Sequence, residues 1–199
     1  VETEKPENSE IDITWDDLAG EAVADKYDEV LSPTHYVPAS KRIERVGRRI
    51  AKYHEPAQAV IEAVSWVRDE LKYVPGTTGV HTSGVDALRE GKGVCQDFAH
   101  LTLMLLRGMG IPSRYVSGYL HPKRNAKVGD TVDGQSHAWI QAWTGEWWHY
   151  DPTNNTEINE QYISVGVGRD YADVTPLKGI YSGEGSTDLD VVVEITRLA

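Results

Sequence analysis

Apolar residues recur at three- and four-residue spacing through the first third of the chain. Ile43, Val46 and Ile50 lie among many Lys and Arg, which predicts an amphipathic helix over Pro38 to Tyr53 with a solvated basic face. A second helix follows. Pro56 suits a first turn, and Val60, Val64, Val67 and Leu71 share one face until Val74-Pro75-Gly76 stops it. Gly- and Thr-rich residues from Gly76 to Gly84 read as a loop, Val85 to Arg89 as a short helical piece, and Gly91-Lys92-Gly93 as a break before something tightly packed. From Val94 to Met109 the pattern changes. Leu101, Leu103, Met104, Leu105 and Leu106 cover nearly the whole circumference, and a helix that is apolar all round is a buried one.

Gly108, Gly110 and Pro112 end that helix, and the period then shortens to two. Ser113 to Leu120 alternates as a strand. A polar stretch from His121 to Ser136 has the length at which loops inside a domain tend to carry function or disorder. Two aromatic-rich strands, HAWIQAW and EWWHYDP, come next, joined by a short turn. Gln161 to Val167 and Asp188 to Leu198 also read as strands. Helices first and strands after, with one buried helix between, predict an α+β fold in which that helix packs on an antiparallel sheet.

Composition narrows the function. The chain has 199 residues, 31 acidic against 20 basic, for a net charge of −11, which argues against a nucleic-acid-binding surface. A single cysteine excludes an internal disulfide and zinc sites built from two or four cysteines. Six Trp and ten Tyr against one Phe form a polar-tipped aromatic set suited to partly wet clefts. No apolar run approaches the roughly 18 residues of a membrane span. Residues 1–35 read as an acidic arm, extended or left over from an upstream domain, and 36–199 as the main domain. No signal peptide is in view, and one thiol is compatible with cytoplasm, periplasm or exterior, so the compartment stays open with the cytoplasm favoured.

The one cysteine, Cys95, stands at the head of the buried helix. Unpaired N–H groups and the helix dipole there favour a thiolate, and the same N–H groups can receive the oxyanion formed when sulfur attacks a carbonyl. A base is then needed, and seven histidines compete. His100 lies on the same helix about 140° away from Cys95, so packing is its expected role. His137 opens a strand after the long loop and can face the helix terminus across a cleft. With a turn at Trp143-Thr144-Gly145, His137 opposes Asp151 directly, and that carboxylate can accept the imidazole N–H and leave the other nitrogen for Cys95. His149, on the same strand face as Asp151, is the competing partner. A register one residue different would separate His137 and Asp151.

The segments GKGVCQDFAHLTLMLLRGMGIPSRYVSGYL, SHAWIQAW and WWHYDPTNN, in that order, resemble the bacterial branch of the transglutaminase-like superfamily. The resemblance runs from about Tyr73 to Asn155, and more loosely through GRDYADVTPLKGIY. It implies a papain-like core with Cys95 as nucleophile, His137 as base and Asp151 as orienting carboxylate. Members of the superfamily transamidate, deamidate or hydrolyse peptides, and some are not catalytic. Many carry an N-terminal β-rich domain, and the missing initiator Met fits a chain cut from a longer one. By analogy with an upstream aromatic in family enzymes, Tyr73 and Trp66 are candidates for a second oxyanion donor. Asp97 can orient site groups or simply cap the helix, Trp139 can wall the acyl site, and Gln96 matters through its backbone position beside the nucleophile.

Other motifs fall away. Gly134-Gln135-Ser136-His137-Ala138 lacks the last glycine of a nucleophile elbow, Gly91-Lys92-Gly93 is too short for a phosphate loop, and Asp130 to Gly134 lacks the ligands of a calcium loop. No cofactor or metal is expected. The expected activity is acyl transfer or hydrolysis at a glutamine carboxamide or peptide bond through a thioester, on a protein or peptide substrate, with a primary amine as a potential acceptor. The alternatives are a cysteine peptidase or amidase of the same fold, and a non-catalytic module that binds peptides in the same groove.

Overall fold

The structure is a computed structural model that describes residues 13–79, 81–123, 125–175 and 192–198. Two short helices come first, α1 (Trp15–Leu18) and α2 (Glu21–Leu31). The amphipathic pattern produces α3 (Lys41–Ala51) and α4 (Pro56–Glu70), followed by a two-residue strand β1 (Lys72–Tyr73) and α5 (Gly84–Glu90). Strand β2 (Lys92–Gly93) runs parallel to β1 and leads directly into α6 (Cys95–Gly108). The remaining strands are β3 (Ser113–Leu120), β4 (Thr131–Asp133), β5 (Gln135–Trp143), β6 (Trp147–Asp151), β7 (Thr156–Glu157), β8 (Tyr162–Gly168) and β9 (Glu194–Thr196).

Helix α6 is the centre of the molecule. Every residue from Asp97 to Leu106 is buried, as the all-round apolar pattern requires. Helices α3, α4 and α5 pack on it from one side, and β3 and β5 from the other. The five-stranded sheet has the order β7-β6-β5-β3-β8 and is antiparallel throughout. Its two faces differ. Ala138, Ile140, Ala142 and Tyr150 join Leu101, Leu103 and Leu105 in the main core, while Trp139 belongs with Val116, Ile158 and Tyr162 to a smaller cluster behind the sheet. At the far end of α6 the Arg107 guanidinium donates to the carbonyls of Ser32, Ser113 and Arg169, tying α6 to the end of α2, the start of β3 and the end of β8.

Three expectations are corrected. Within the acidic arm expected over 1–35, Trp15–Leu18 and Glu21–Leu31 are helical and not extended, while residues 1–12 lie outside those described. Low overall hydrophobicity concealed a few large anchors. Thr14 and Asp17 cap α1 reciprocally, Leu18 joins the main core, the Trp15 indole N–H donates to the His54 carbonyl, and Tyr27 packs on Trp143 and Trp147 with ring centroids 4.8 and 5.6 Å away. The polar stretch from His121 to Ser136 is not all loop, because β4 lies within it and pairs with β9. Of the strand expected over Asp188 to Leu198, residues 188–191 are outside the described set and Glu194–Thr196 forms β9.

The third correction is the hairpin register. Trp143 pairs with Trp147 and Ile140 with Tyr150, so the turn is Thr144-Gly145-Glu146, with Gly145 at φ 104°. That is still a three-residue turn with a left-handed glycine, displaced by one position. The register therefore differs by two residues from the expected one. Asp151 falls level with Trp139, diagonal to His137, and because side chains alternate with period two the two residues stay on one face.

Candidate active site

The thiol is set by the entry into α6. Gly93 and Val94 arrive extended, and the Asp97 carboxylate turns back to accept the Val94 N–H at 2.8 Å and the Thr78 hydroxyl at 2.6 Å. Gly93 must be glycine for this, since a Cβ there would stand 2.6 Å from the Asp97 carboxylate. Burial raises the Asp97 carboxyl above its ordinary range despite the hydrogen bonds that pull it down. Asp97 thus caps the helix and straps the loop through Thr78 to it. Cys95, a free thiol, is half-buried at the helix head, and Gln96 is half-buried beside it.

His137 enters from β5. Its Nε2–H donates to Asp151 Oδ2 at 2.7 Å, and its side chain also hydrogen-bonds Cys95, so Nδ1 is the nitrogen that serves the sulfur. Asp151 is fully buried yet well supplied. Its carboxylate also accepts the Tyr162 hydroxyl at 2.8 Å, the Asn154 amide at 2.7 Å, and the backbone N–H groups of Thr153 and Asn154. Burial alone would raise this carboxyl, but the hydrogen bond and charge of His137, with Asn154 and Tyr162, hold it below its ordinary value. Burial likewise opposes a charge on His137. The hydrogen bonds to Asp151 and Cys95 outweigh it and carry the ring up to about 9. A thiol, an imidazole and a carboxylate joined in this order can move a proton off sulfur and hold the ring that takes it.

The competing histidines are placed elsewhere. His100 is fully buried between the rings of Tyr36 and Tyr115, at 5.1 and 5.0 Å, and accepts the Tyr171 N–H; burial pushes it down to about 3. His149 contacts Trp139 and Gln141 and makes no bond to Asp151. Trp139 is fully buried and stacks on His137 with ring centroids 6.2 Å apart. Tyr73 is 53% exposed and pairs in register with Gly93; its hydroxyl is raised by burial and by the nearby charges of Cys95 and Asp151, so it stands at the site.

Trp66 does not. It lines a cavity of about 330 Å³ between α3 and α4 with Arg49, Tyr53 and His54, because the helical period points it away from the face that meets α6. Tyr162, Asn154 and Thr78 are the site residues that sequence reasoning missed. Asn154 stood inside the quoted WWHYDPTNN segment, while nothing local marks a tyrosine on a different strand or a threonine in a loop. Among the described residues no group of three or more His, Cys, Asp or Glu could hold a metal ion, and no helix is long and apolar enough to cross a membrane.

Comparison with known proteins bears on the family and the fold. The family model of the transglutaminase-like superfamily matches residues 44–152. An uncharacterised protein of Mycobacterium leprae is 70% identical over all 199 residues, which cover 71% of that protein. A crystal structure from Cytophaga hutchinsonii, of a protein assigned as a cysteine protease, superposes with a TM-score of 0.69 at 26% identity, over 86% of this chain and 56% of that one. A protein-glutamine gamma-glutamyltransferase of Pseudomonas aeruginosa is 28% identical over 131 residues, covering 61% of this chain and 19% of its own length. The fold, a buried helix packed on an antiparallel sheet, is the one that the residues led us to expect.

Proposed function

The chain belongs to the transglutaminase-like superfamily, and we propose that it is a thiol acyltransferase or hydrolase in which Cys95 is the nucleophile, His137 the proton carrier and Asp151 the carboxylate that fixes the ring. The observation that carries this is the 2.7 Å bond from His137 Nε2 to the buried Asp151, with the other ring nitrogen left to Cys95. A ring raised to about 9 holds its proton at neutral pH beside the sulfur.

The Cys95 sulfur attacks the carbonyl carbon of a glutamine carboxamide or a peptide bond. The C–N bond breaks as Nδ1 of His137 gives its proton to the departing ammonia or amine, leaving an acyl thioester. Water or a primary amine then attacks, His137 takes a proton from it, and sulfur leaves. N–H groups at the head of α6 face the developing oxyanion, and the Tyr73 hydroxyl is the second donor. Asp97 acts at a distance, through the cap and the Thr78 strap. The relatives named above as a cysteine protease and as a glutamyltransferase support both acceptors.

A peptide pool incubated with and without a labelled primary amine, and read by mass, separates the outcomes. Amine adducts mean transamidation, the mass of Glu in place of Gln means deamidation, and chain cleavage means proteolysis. Cys95→Ala abolishes whichever product forms. Cys95 is also expected to react with iodoacetamide near pH 6 much faster than free cysteine does. Equal rates, with no product in any pool, would overturn the proposal.

A further inference from the structure

A second polar chain lies on the same face of the hairpin as His137 and Asp151, and the chemistry above does not use it. The Trp139 indole N–H donates to His149 Nδ1 at 3.2 Å, and the Gln141 side-chain amide lies 2.6 Å from His149 Nε2. Trp139 stands between this chain and the site. One side of it stacks on His137, with an interplanar angle of 28°, and its ring meets Tyr162 edge-on at 5.4 Å. Tyr162 is the residue whose hydroxyl donates to Asp151. The indole therefore touches both the imidazole and the tyrosine that holds the imidazole's carboxylate partner.

Proton accounting fixes the state of His149. Burial holds its ring down to about 4, so it is neutral and carries one N–H. Nδ1 accepts the indole proton, which leaves that N–H on Nε2, and Nε2–H needs an acceptor. The structure sets the Gln141 amide nitrogen at 2.6 Å from it; two facing donors cannot bond, so the amide is assigned turned over, which gives Nε2–H the oxygen that is otherwise buried without a partner. Imidazole and amide then form one directed chain, from the indole N–H through His149 to Gln141. The χ2 angle of a tryptophan is broad and roughly two-fold, so a buried indole has more than one orientation in which to be packed. An acceptor on one side of the indole selects a single orientation.

We propose that His149 is a positioning residue: as the neutral Nε2–H tautomer it holds the Trp139 indole flat against His137, and so keeps the His137 ring aimed at Cys95. This rests on the reading of Cys95, His137 and Asp151 given above.

His149→Leu removes the acceptor at similar volume, while His149→Asn sets an amide oxygen near the place of Nδ1. Alkylation of Cys95 across pH serves as readout, since it needs no substrate. The Leu variant is expected to slow alkylation at neutral pH by about tenfold and to move the low-pH limb of the profile upward, whereas the Asn variant recovers to within about twofold of wild type. In a Trp139→Phe background, which already lacks the indole N–H, His149→Leu adds little. Nitrogen-15 correlation spectra of the wild-type protein place the His149 proton on Nε2. A wild-type profile for His149→Leu, an Asn variant no better than Leu, full additivity with Trp139→Phe, or a proton on Nδ1 each overturns the inference. A wild-type Cys95 no faster than free cysteine fails the catalytic reading itself, a result separable from all of these.

Discussion

The two faces of the β5–β6 hairpin are built to opposite rules from interleaved residues. On one face Ala138, Ile140, Ala142 and the Tyr150 ring join the core around α6, and the Tyr150 hydroxyl, which donates to Asn155, is the one polar group among them. On the other, the bonded pair His137–Asp151 and the bonded chain Trp139–His149–Gln141 meet where the Trp139 ring stacks on His137. The first face gains stability from burial, which is indifferent to direction and tolerant of small shifts. The second gains orientation, because each partner must stand at the right distance and angle to be satisfied at all. A single strand thus presses the sheet onto the nucleophile's helix and aims the base at its head.

The sharpest way to break this contrast is Asp151→Asn. It keeps the shape but gives up one accepting oxygen and the charge that fixes the His137 tautomer, so turnover or Cys95 alkylation by the folded fraction should fall by about 10³-fold or more, beyond whatever stability is lost with the missing acceptor. Ile140→Ala tests the other face. Ile140 is fully buried, and its truncation should cost about 3 kcal/mol in denaturant unfolding while the folded fraction keeps its thiol reactivity. Comparable losses of thiol reactivity in the folded fractions of both variants would erase the distinction between the faces.

The shallowest effect is the pH dependence of stability, which sorts His100, His137 and His149. His100 and His149 are held down to about 3 and 4, below the 6.5 of an unfolded histidine, so stability falls with acidification below 6.5 as the unfolded chain takes up protons that the folded one refuses. His137 is held up at about 9, so its contribution is complete below 6.5 and is lost as pH rises through 9. Melting should therefore peak near pH 6.5, with slopes of at most about 1.4 kcal/mol per pH unit for each proton involved. A melting temperature still climbing between about pH 7 and 9 would contradict the raised His137.

How much of this was legible in the chain depended on whether the signal was periodic. The helices from Lys41 to Gly108 and the strands β3, β5 and β6 follow from three- to four-residue and two-residue spacing, and most lie within a few residues of where the pattern puts them. The pairing of His137 with Asp151 was legible for a subtler reason. The turn was misplaced by one residue, which slides the register by two, and a slide of two leaves every side chain on its own face. What stayed hidden has no period. Trp15, Leu18 and Tyr27 anchor an acidic segment one residue at a time, and Tyr162 reaches Asp151 from a different strand. Trp66 shows the converse error, since an aromatic upstream of the cysteine in sequence need not be near it in space.

Arg107 gives the site a kind of stiffness that no residue near Cys95 supplies. Its guanidinium grips carbonyls from three segments that are far apart in sequence, so α6 cannot slide along its axis without breaking all three bonds together. The helix between Arg107 and Cys95 is a strut of about 18 Å whose length is fixed by its pitch. With the rear end anchored, the front end has a defined reach. The tolerance on where sulfur meets its substrate is thus set at the opposite end of the helix, by a cation that never touches the reacting atoms.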